Sequence, residues 1–366
     1  MGDIRDASDS FSVCFNMVKV KYVDFDKTFD DTEFISPTDK VNVLINLEMV
    51  LKLLSTIKDL ERKIIDTKDF VPIVVSNIIN LAAHYRRFFR GNGLNTNVYL
   101  YYTDFNSTEF NECKYFEDFR MFYINKHQRN PKYIMLGEIL TKEVIPQVKT
   151  VLDFIPGVYF VAAENLDAAA VPTIIHDIDA TRKNVILTSD IIDTQYSDGY
   201  SYCTYLLKRT PDGLKVFYTK RGYLEYIIKN TSDLSYSQEL EFYKNQAFYA
   251  LLLSCLGEKY RSLDGVPGLR SSSLIKLLDR GIRDKVITST TTELSVLLDV
   301  FPELSRDMIE CNFKCISIDE IARRITKTQK DKVSMQLVDR SDNNSLMKLN
   351  STIFFNHPIL LEALTQ

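Results

Sequence analysis

The sequence predicts an α/β fold with a central, mostly parallel sheet, helices on both of its faces and a helical C-terminal part. Two observations predict this fold. Short β-prone runs alternate with stretches that carry apolar residues at helical spacing, and this alternation is typical of parallel strands joined by helices. Acidic residues also follow several of the predicted strands, at the position where open α/β sheets carry their sites.

The composition is that of a globular protein. The 366 residues are 45% apolar and 26% charged, and a chain of this length predicts about two domains. No apolar run reaches the roughly 18 residues that a membrane span needs. The polar N-terminus has no secretory-signal pattern, so the sequence predicts a cytoplasmic protein. The six cysteines are scattered, which favours buried thiols over disulfides or a zinc site.

The elements of the α/β domain are predicted over 41–235, after a polar N-terminal extension of residues 1–40. A Gly-Asn-Gly sequence ends the second helix, and a Pro-Asp-Gly turn joins the two strands of a hairpin. The predicted strands cover 41–46, 97–102, 157–161, 183–190, 202–208 and 214–219, and the predicted helices cover 47–60, 71–89, 136–154 and 167–179.

A Gly-Val-Pro-Gly-Leu turn between two predicted helices lies within the region 236–290. Glycines let backbone amides approach a phosphate, and the N-terminus of the following helix adds a positive dipole end. This is how a helix-hairpin-helix element holds a DNA backbone without contacting bases. A plain helical corner would produce the same turn residues. The candidate DNA-binding residues of this region are Gly265, Val266, Gly268, Arg270, Ser271 and Ser272.

Further candidate DNA-binding residues lie in two basic stretches. Arg86 belongs to a basic run near the end of the second predicted helix. Arg120, Lys126 and Arg129 lie in the aromatic and basic stretch 105–135, whose aromatic rings either stack on single-stranded bases or pack in a core. The net charge of −4 means that only such local clusters would bind phosphates. A third cluster, 323–332, is interpreted as a solvated helix face, and 291–366 as a helical C-terminal region.

Four stretches resemble motifs of the 5′→3′ exonuclease and flap endonuclease family, which has a PIN-like domain with a helix-three-turn-helix. They are V-L-I-N at 43–46, I-P-G to A-E-N-L-D at 155–167, L-T-S-D-I-I-D-T-Q at 187–195 and G-E-K-Y-R-S-L-D-G-V-P-G-L at 257–269. They occur in the family's order and spacing, so the resemblance covers about 41–290. It implies that 105–135 takes the place of the helical arch through which a single-stranded 5′ end passes.

The resemblance also implies a metal-dependent phosphodiester hydrolysis with two Mg or Mn ions held by carboxylates. The positions that match the family's catalytic and metal-binding carboxylates and still carry one are Asp104, Glu164, Asp167, Asp190 and Glu258. Four matching positions depart from the pattern: Asn46, Leu166, Ile192 and Arg261. Arg261 would place a permanent positive charge where a dication binds. In a shifted alignment Asp193 or Asp264 would take over a ligand's place.

Three functions follow from these observations. The first is a structure-specific DNA-binding protein, for single strands, flaps or junctions, whose hydrolysis is weakened or lost. The second is an active 5′→3′ exonuclease or flap endonuclease that uses Mg or Mn. The third is a non-catalytic scaffold with protein partners in a replication, transcription or virion assembly. Abundant Lys, Asn, Tyr and Ile with no Trp suggest an AT-rich genome, which is compatible with a phage protein in the host cytoplasm.

Overall fold

The computed structural model describes only part of the chain. The described residues are 40–47, 70–91, 93–104, 139–152, 155, 157–164, 166–188, 190–196, 201–210, 213–217, 246–257, 263–267, 269, 298–299 and 306–337. The predicted N-terminal extension up to residue 39, the arch-like stretch 105–135 and nearly all of the predicted helix 47–60 lie outside these ranges. So do the segment 270–297 and the C-terminal residues 338–366.

The described strands form a six-stranded sheet in the order β3-β2-β1-β4-β5-β6. Neighbouring strands are parallel from β3 through β5, and β6 pairs with β5 as an antiparallel hairpin. This confirms the predicted mostly parallel sheet and its terminal hairpin. The strands are β1 Lys40–Asn46, β2 Asn95–Asp104, β3 Val158–Glu164, β4 Arg182–Thr188, β5 Ser201–Thr210 and β6 Gly213–Phe217.

Helices cover both faces of the sheet, as the sequence predicts. A π-helical turn precedes the second helix, and short 3-10 helices at Ala168–Ala170 and Ile191–Tyr196 follow β3 and β4. None of the described helices has both the length and the apolar character needed to cross a membrane. The α-helices are α1 Phe70–Gly91, α2 Ile145–Leu152, α3 Val171–Ile178, α4 Gln246–Leu256, α5 Arg306–Ile316, α6 Ile318–Arg323 and α7 Lys327–Gln336.

Two apolar cores sandwich the sheet. Alternate residues of β1 point to opposite faces, so Val43 packs with α1 and α2 while Leu44 packs with the other helices. The core on the face opposite to α1 and α2, here called the second core, is formed by side chains of the sheet, of α3 and α4, and of the C-terminal helices α5, α6 and α7. Strands buried on both faces are typical of parallel sheets, and they leave the strand ends as the place for polar side chains.

Candidate functional site

The carboxyl ends of β1 and β4 form a topological switch point. The chain continues from β1 through β2 to β3 on one side of the sheet, and β4 and β5 lie on the other side. Connections that leave in opposite directions open a crevice beyond the strand ends, which is where ligands bind in such sheets. Asn46 is the last residue of β1, and Asp190 follows β4. The structure therefore brings these two predicted site positions to the same end of the sheet, the end at which the parallel strands have their carboxyl termini.

Asp190 has a structural role at the carboxyl end of β4. The residue is 3% exposed, and its Oδ1 accepts a hydrogen bond from the Ile192 amide at 3.1 Å. Its own amide donates to Thr188 Oγ1 at 2.9 Å. These bonds turn the chain from β4 into the 3-10 helix Ile191–Tyr196, since an acidic side chain caps the free amides at a helix start. One carboxylate oxygen of Asp190 is thus engaged by backbone.

Asp167 makes an equivalent cap beyond β3. The residue is 1% exposed, and its Oδ1 accepts a hydrogen bond from the Ala169 amide at 2.9 Å. This bond starts the 3-10 helix Ala168–Ala170, which leads directly into α3. The predicted ligands Asp167 and Asp190 therefore also hold the local backbone in shape.

Asp193 is the carboxylate that approaches the end of β1. It is fully buried, and its Oδ2 accepts hydrogen bonds from Asn46 Nδ2 at 3.4 Å and from the Tyr101 hydroxyl at 3.3 Å. The sequence indicated Asp193 only as a substitute ligand and missed Tyr101. Tyr101 is the register partner of Asn46 on β2, so correct strand pairing would have been needed to find it.

Glu164 lies at the end of the edge strand β3, where its register partner on β2 is Asp104. Its side chain is 41% exposed, and Oε2 lies 3.6 Å from Lys332 Nζ on α7. The sequence assigned Lys332 to a solvated helix face. The structure places this lysine, whose side chain is 33% exposed, beside a predicted metal ligand.

Two positions that depart from the resembled pattern lie inside the second core. Leu166 is 2% exposed and Ile192 is fully buried, and both belong to the core that also includes residues of the sheet and α4. Within the described ranges, no group of three or more His, Cys, Asp or Glu side chains is arranged to hold a metal ion. The described donors alone therefore do not fit a two-metal site. The side chains of Asp104, Glu258 and Arg261 lie outside the described residues.

The predicted phosphate-binding turn packs against the end of α4. Gly257 ends this helix with φ +69°, and its amide donates to Leu253 O at 2.9 Å. The Val266 amide donates to Cys255 O at 2.9 Å, so this amide bonds the protein's own backbone. A Cβ on Gly265 would lie 2.3 Å from Leu256 O. Glycine at 265 is therefore required by the close approach of two backbone segments.

Asn312 on α5 also stabilises this turn, by hydrogen bonds to the turn and to α4. It is 4% exposed, and its Nδ2 donates to Ser254 O and to Asp264 O, both at 2.9 Å. The turn is thus held between α4 and α5. The helix predicted after it lies outside the described residues, as do Gly268, Arg270, Ser271, Ser272, Arg120, Lys126 and Arg129, so the helix-hairpin-helix remains a prediction.

Arg86 is buried in the structure, and its predicted contact with DNA stays a prediction. The residue is 2% exposed on α1, whereas its neighbour Arg87 is exposed. Successive residues of an α-helix are about 100° apart around its axis, so one basic run spans a buried and an exposed face. A cluster of consecutive basic residues therefore does not by itself mark a surface patch.

The 3-10 helix Ile191–Tyr196 joins the site to the C-terminal helices. Gln195 is 2% exposed, its Nε2 donates to Ile316 O at 2.8 Å, and its Oε1 accepts from the Ile318 amide at 3.3 Å. Burial raises the pKa of Tyr196 well above its usual value. The hydrogen bond with Thr173 opposes this shift, and the neighbouring Asp193 and Asp167 carboxyls add to it. Tyr196 therefore stays protonated and donates to Ala169 O at 2.6 Å.

Gln195→Ala is expected to lower the free energy of unfolding by about 2–3 kcal/mol. The change removes a side chain that bonds three buried backbone groups, and each buried group left without a partner costs on the order of 1 kcal/mol or more. Urea unfolding followed by circular dichroism measures the effect. Gln147→Ala, which removes an exposed glutamine from α2, is the matched control. Equal midpoints for the two variants would contradict the role given to Gln195.

No protein-family model matches the sequence, and no curated protein matches it. Among solved structures, the chain is similar to the flap endonuclease of bacteriophage T5 in a pseudo-enzyme–product complex with DNA and metal ions. The TM-score is 0.49 and the sequence identity is 12%, and the match covers 81% of this chain and 98% of that chain. It is also similar to the bacteriophage T5 5′-exonuclease with bound zinc ions, with a TM-score of 0.48 and 12% identity over 82% of this chain and 100% of that chain. Similarity at this level assigns neither an activity nor a ligand to the chain.

Proposed function

We propose that this chain is a structure-specific DNA-binding protein related to the 5′→3′ exonuclease and flap endonuclease family, with metal-dependent hydrolysis weakened or lost. Four stretches in the family's order support the relationship. The loss of hydrolysis rests on one observation at the carboxyl end of β1. There the resemblance implies a carboxylate ligand at the position of Asn46, and the side-chain amide of Asn46 instead donates to the buried carboxyl of Asp193.

In-line phosphodiester hydrolysis by this family's chemistry needs two closely spaced divalent ions, which activate the attacking water and stabilise the leaving oxygen. Mg and Mn require oxygen ligands with compensating negative charge. Leu166 and Ile192 offer neither, and both are packed in the second core. If ions are held, the residues available to hold them are Asp104, Glu164, Asp167, Asp190 and Glu258.

The DNA contacts are proposed for two segments. The first is the turn around Gly265 with the following residues up to Ser272, and the second is the basic and aromatic stretch 105–135. Several basic side chains of the described C-terminal helices pair with carboxylates. They are therefore less available to bind phosphates, which favours the two segments named above. Arg306 pairs with Asp299 and Glu310, and Arg323 pairs with Glu320. Phosphate contacts by those arginines would have to break these pairs.

A paired assay tests the proposal. Binding and cleavage of a labelled 5′-flap and of a matched single strand are measured with Mg and with Mn. We expect binding without cleavage, and we expect Arg270→Ala to weaken binding about three- to tenfold and to reduce the slope of log affinity against log salt by about 1. Arg306→Ala is the matched control, since it removes an arginine that is already paired with two carboxylates.

An active nuclease is the second candidate, and one feature of the sheet favours it. Asp104 and Glu164 end neighbouring strands in register, and Asp190 follows β4 at the same end of the sheet. Cleavage of the 5′-flap that is abolished by Asp190→Ala would establish this activity and overturn the loss of hydrolysis. Failure to bind either DNA at low salt, with a protein that co-purifies, would favour a scaffold.

A further inference from the structure

Lys332 brings a positive charge to the acidic end of the sheet. Its Nζ lies 3.6 Å from Glu164 Oε2, and the two side chains are 33% and 41% exposed. The lysine comes from α7, 168 positions beyond the glutamate along the chain (332 − 164). The pair is therefore a tertiary contact between the C-terminal region and a predicted metal ligand.

The position of Lys332 is fixed by the way α7 docks on the sheet. The Gln336 side chain pairs with the open edge of β3: its Oε1 accepts from the Ala162 amide at 2.8 Å, and its Nε2 donates to Ala162 O at 3.0 Å. A side-chain amide used in this way mimics one residue of a further strand and covers part of the open edge. Val333, next to Lys332, is 2% exposed and packs in the second core.

The start of α7 is fixed as well. Thr326 and Gln329 form a reciprocal capping box, in which each side chain accepts a hydrogen bond from the other residue's amide. Lys330 pairs with Asp177 on α3 at the other side of the helix. With its cap, its core residue and its edge contact all in place, α7 holds Lys332 near Glu164 without relying on the ion pair itself.

We propose that Lys332 supplies, beside Glu164, the positive charge that a divalent ion would supply in the resembled family. The inference rests on the proposed function, since it treats the acidic end of the sheet as a former metal site. A lysine ammonium is a compact positive charge, and at 3.6 Å it offsets the negative charge of the carboxylate by Coulomb attraction. The C-terminal region thereby competes with divalent cations for Glu164.

Manganese binding to the full chain tests this competition. Free Mn²⁺ is followed by electron paramagnetic resonance, with no DNA present. We expect Lys332→Gln to bind Mn²⁺ about three- to fivefold more tightly than the unaltered chain, the size of effect that a partly exposed ion pair supports. Lys332→Arg keeps the charge and is expected to match the unaltered chain. Lys330→Gln is the matched control, because it removes a neighbouring lysine that pairs with Asp177 instead.

A second variant shows whether the gain involves Glu164. Adding Glu164→Gln to Lys332→Gln is expected to abolish the increase. Equal Mn²⁺ affinity for Lys332→Gln and the unaltered chain, absence of Mn²⁺ binding in both, or an equal gain in Lys330→Gln would each overturn the inference. Binding of the 5′-flap without metal is measured on the same proteins. Its absence would contradict the proposed DNA-binding function while the manganese comparison still decides the role of Lys332.

Discussion

Asn46→Asp is expected to lower the free energy of unfolding by about 2–4 kcal/mol when metal is chelated. The Asn46 amide nitrogen lies 3.4 Å from Asp193 Oδ2 at a position that is 2% exposed. The change replaces a hydrogen-bond donor by a second carboxyl, so two like charges share one buried site. Urea unfolding in EDTA and in excess Mn²⁺ measures the loss and any recovery.

The metal response of this variant decides between two states of the site. Recovery of stability in Mn²⁺ would mean that the surrounding oxygens hold a cation once position 46 carries a carboxylate. Absence of recovery would mean that the oxygens around position 46 do not hold a cation. Asn46→Leu is the matched control, because it also removes the donor to Asp193 but adds no charge. An unchanged stability of Asn46→Asp in EDTA would contradict the Asn46–Asp193 contact.

Gly257→Ala is expected to lower the free energy of unfolding by about 3 kcal/mol or more. A left-handed backbone costs a non-glycine residue about 1–3 kcal/mol, and Gly257 has φ +69°. The new Cβ would also lie 2.3 Å from Gly265 N and 2.6 Å from Leu263 O, both backbone atoms that cannot move without shifting the turn. Urea unfolding measures the loss, and weaker binding of the 5′-flap is expected alongside it.

Substitutions at two other glycines separate the cost of the left-handed backbone from the cost of the clash that an added Cβ would make. Gly93 has φ +80° with no atom within 4 Å of an added Cβ, so Gly93→Ala reports the backbone conformation alone, at about 1–2 kcal/mol. Gly91 has neither a positive φ nor a close neighbour, so Gly91→Ala is expected to change little. If Gly257→Ala cost no more than Gly93→Ala, the tight packing of the turn on α4 would be contradicted.

Among the described residues, the sequence by itself determined the order of the strands and the helices between them. The helix predicted over 71–89 is α1 at Phe70–Gly91, and the hairpin predicted around the Pro-Asp-Gly turn is formed by β5 and β6. These features follow from local periodicity and turn residues, which act over a few neighbouring positions. The same local pattern predicted a buried strand that ends on Asp190, and in the structure β4 ends two residues earlier, at Thr188.

Only the tertiary structure decided what the site residues contact. Asp193 meets Asn46 across 147 positions of the chain and Tyr101 across 92, and Lys332 reaches Glu164 from the C-terminal helix α7. Arg86 is buried although the basic run around it suggested a surface. Such contacts depend on strand register and helix docking, which bring distant residues together, and the identity of a residue does not encode which distant partner it will meet.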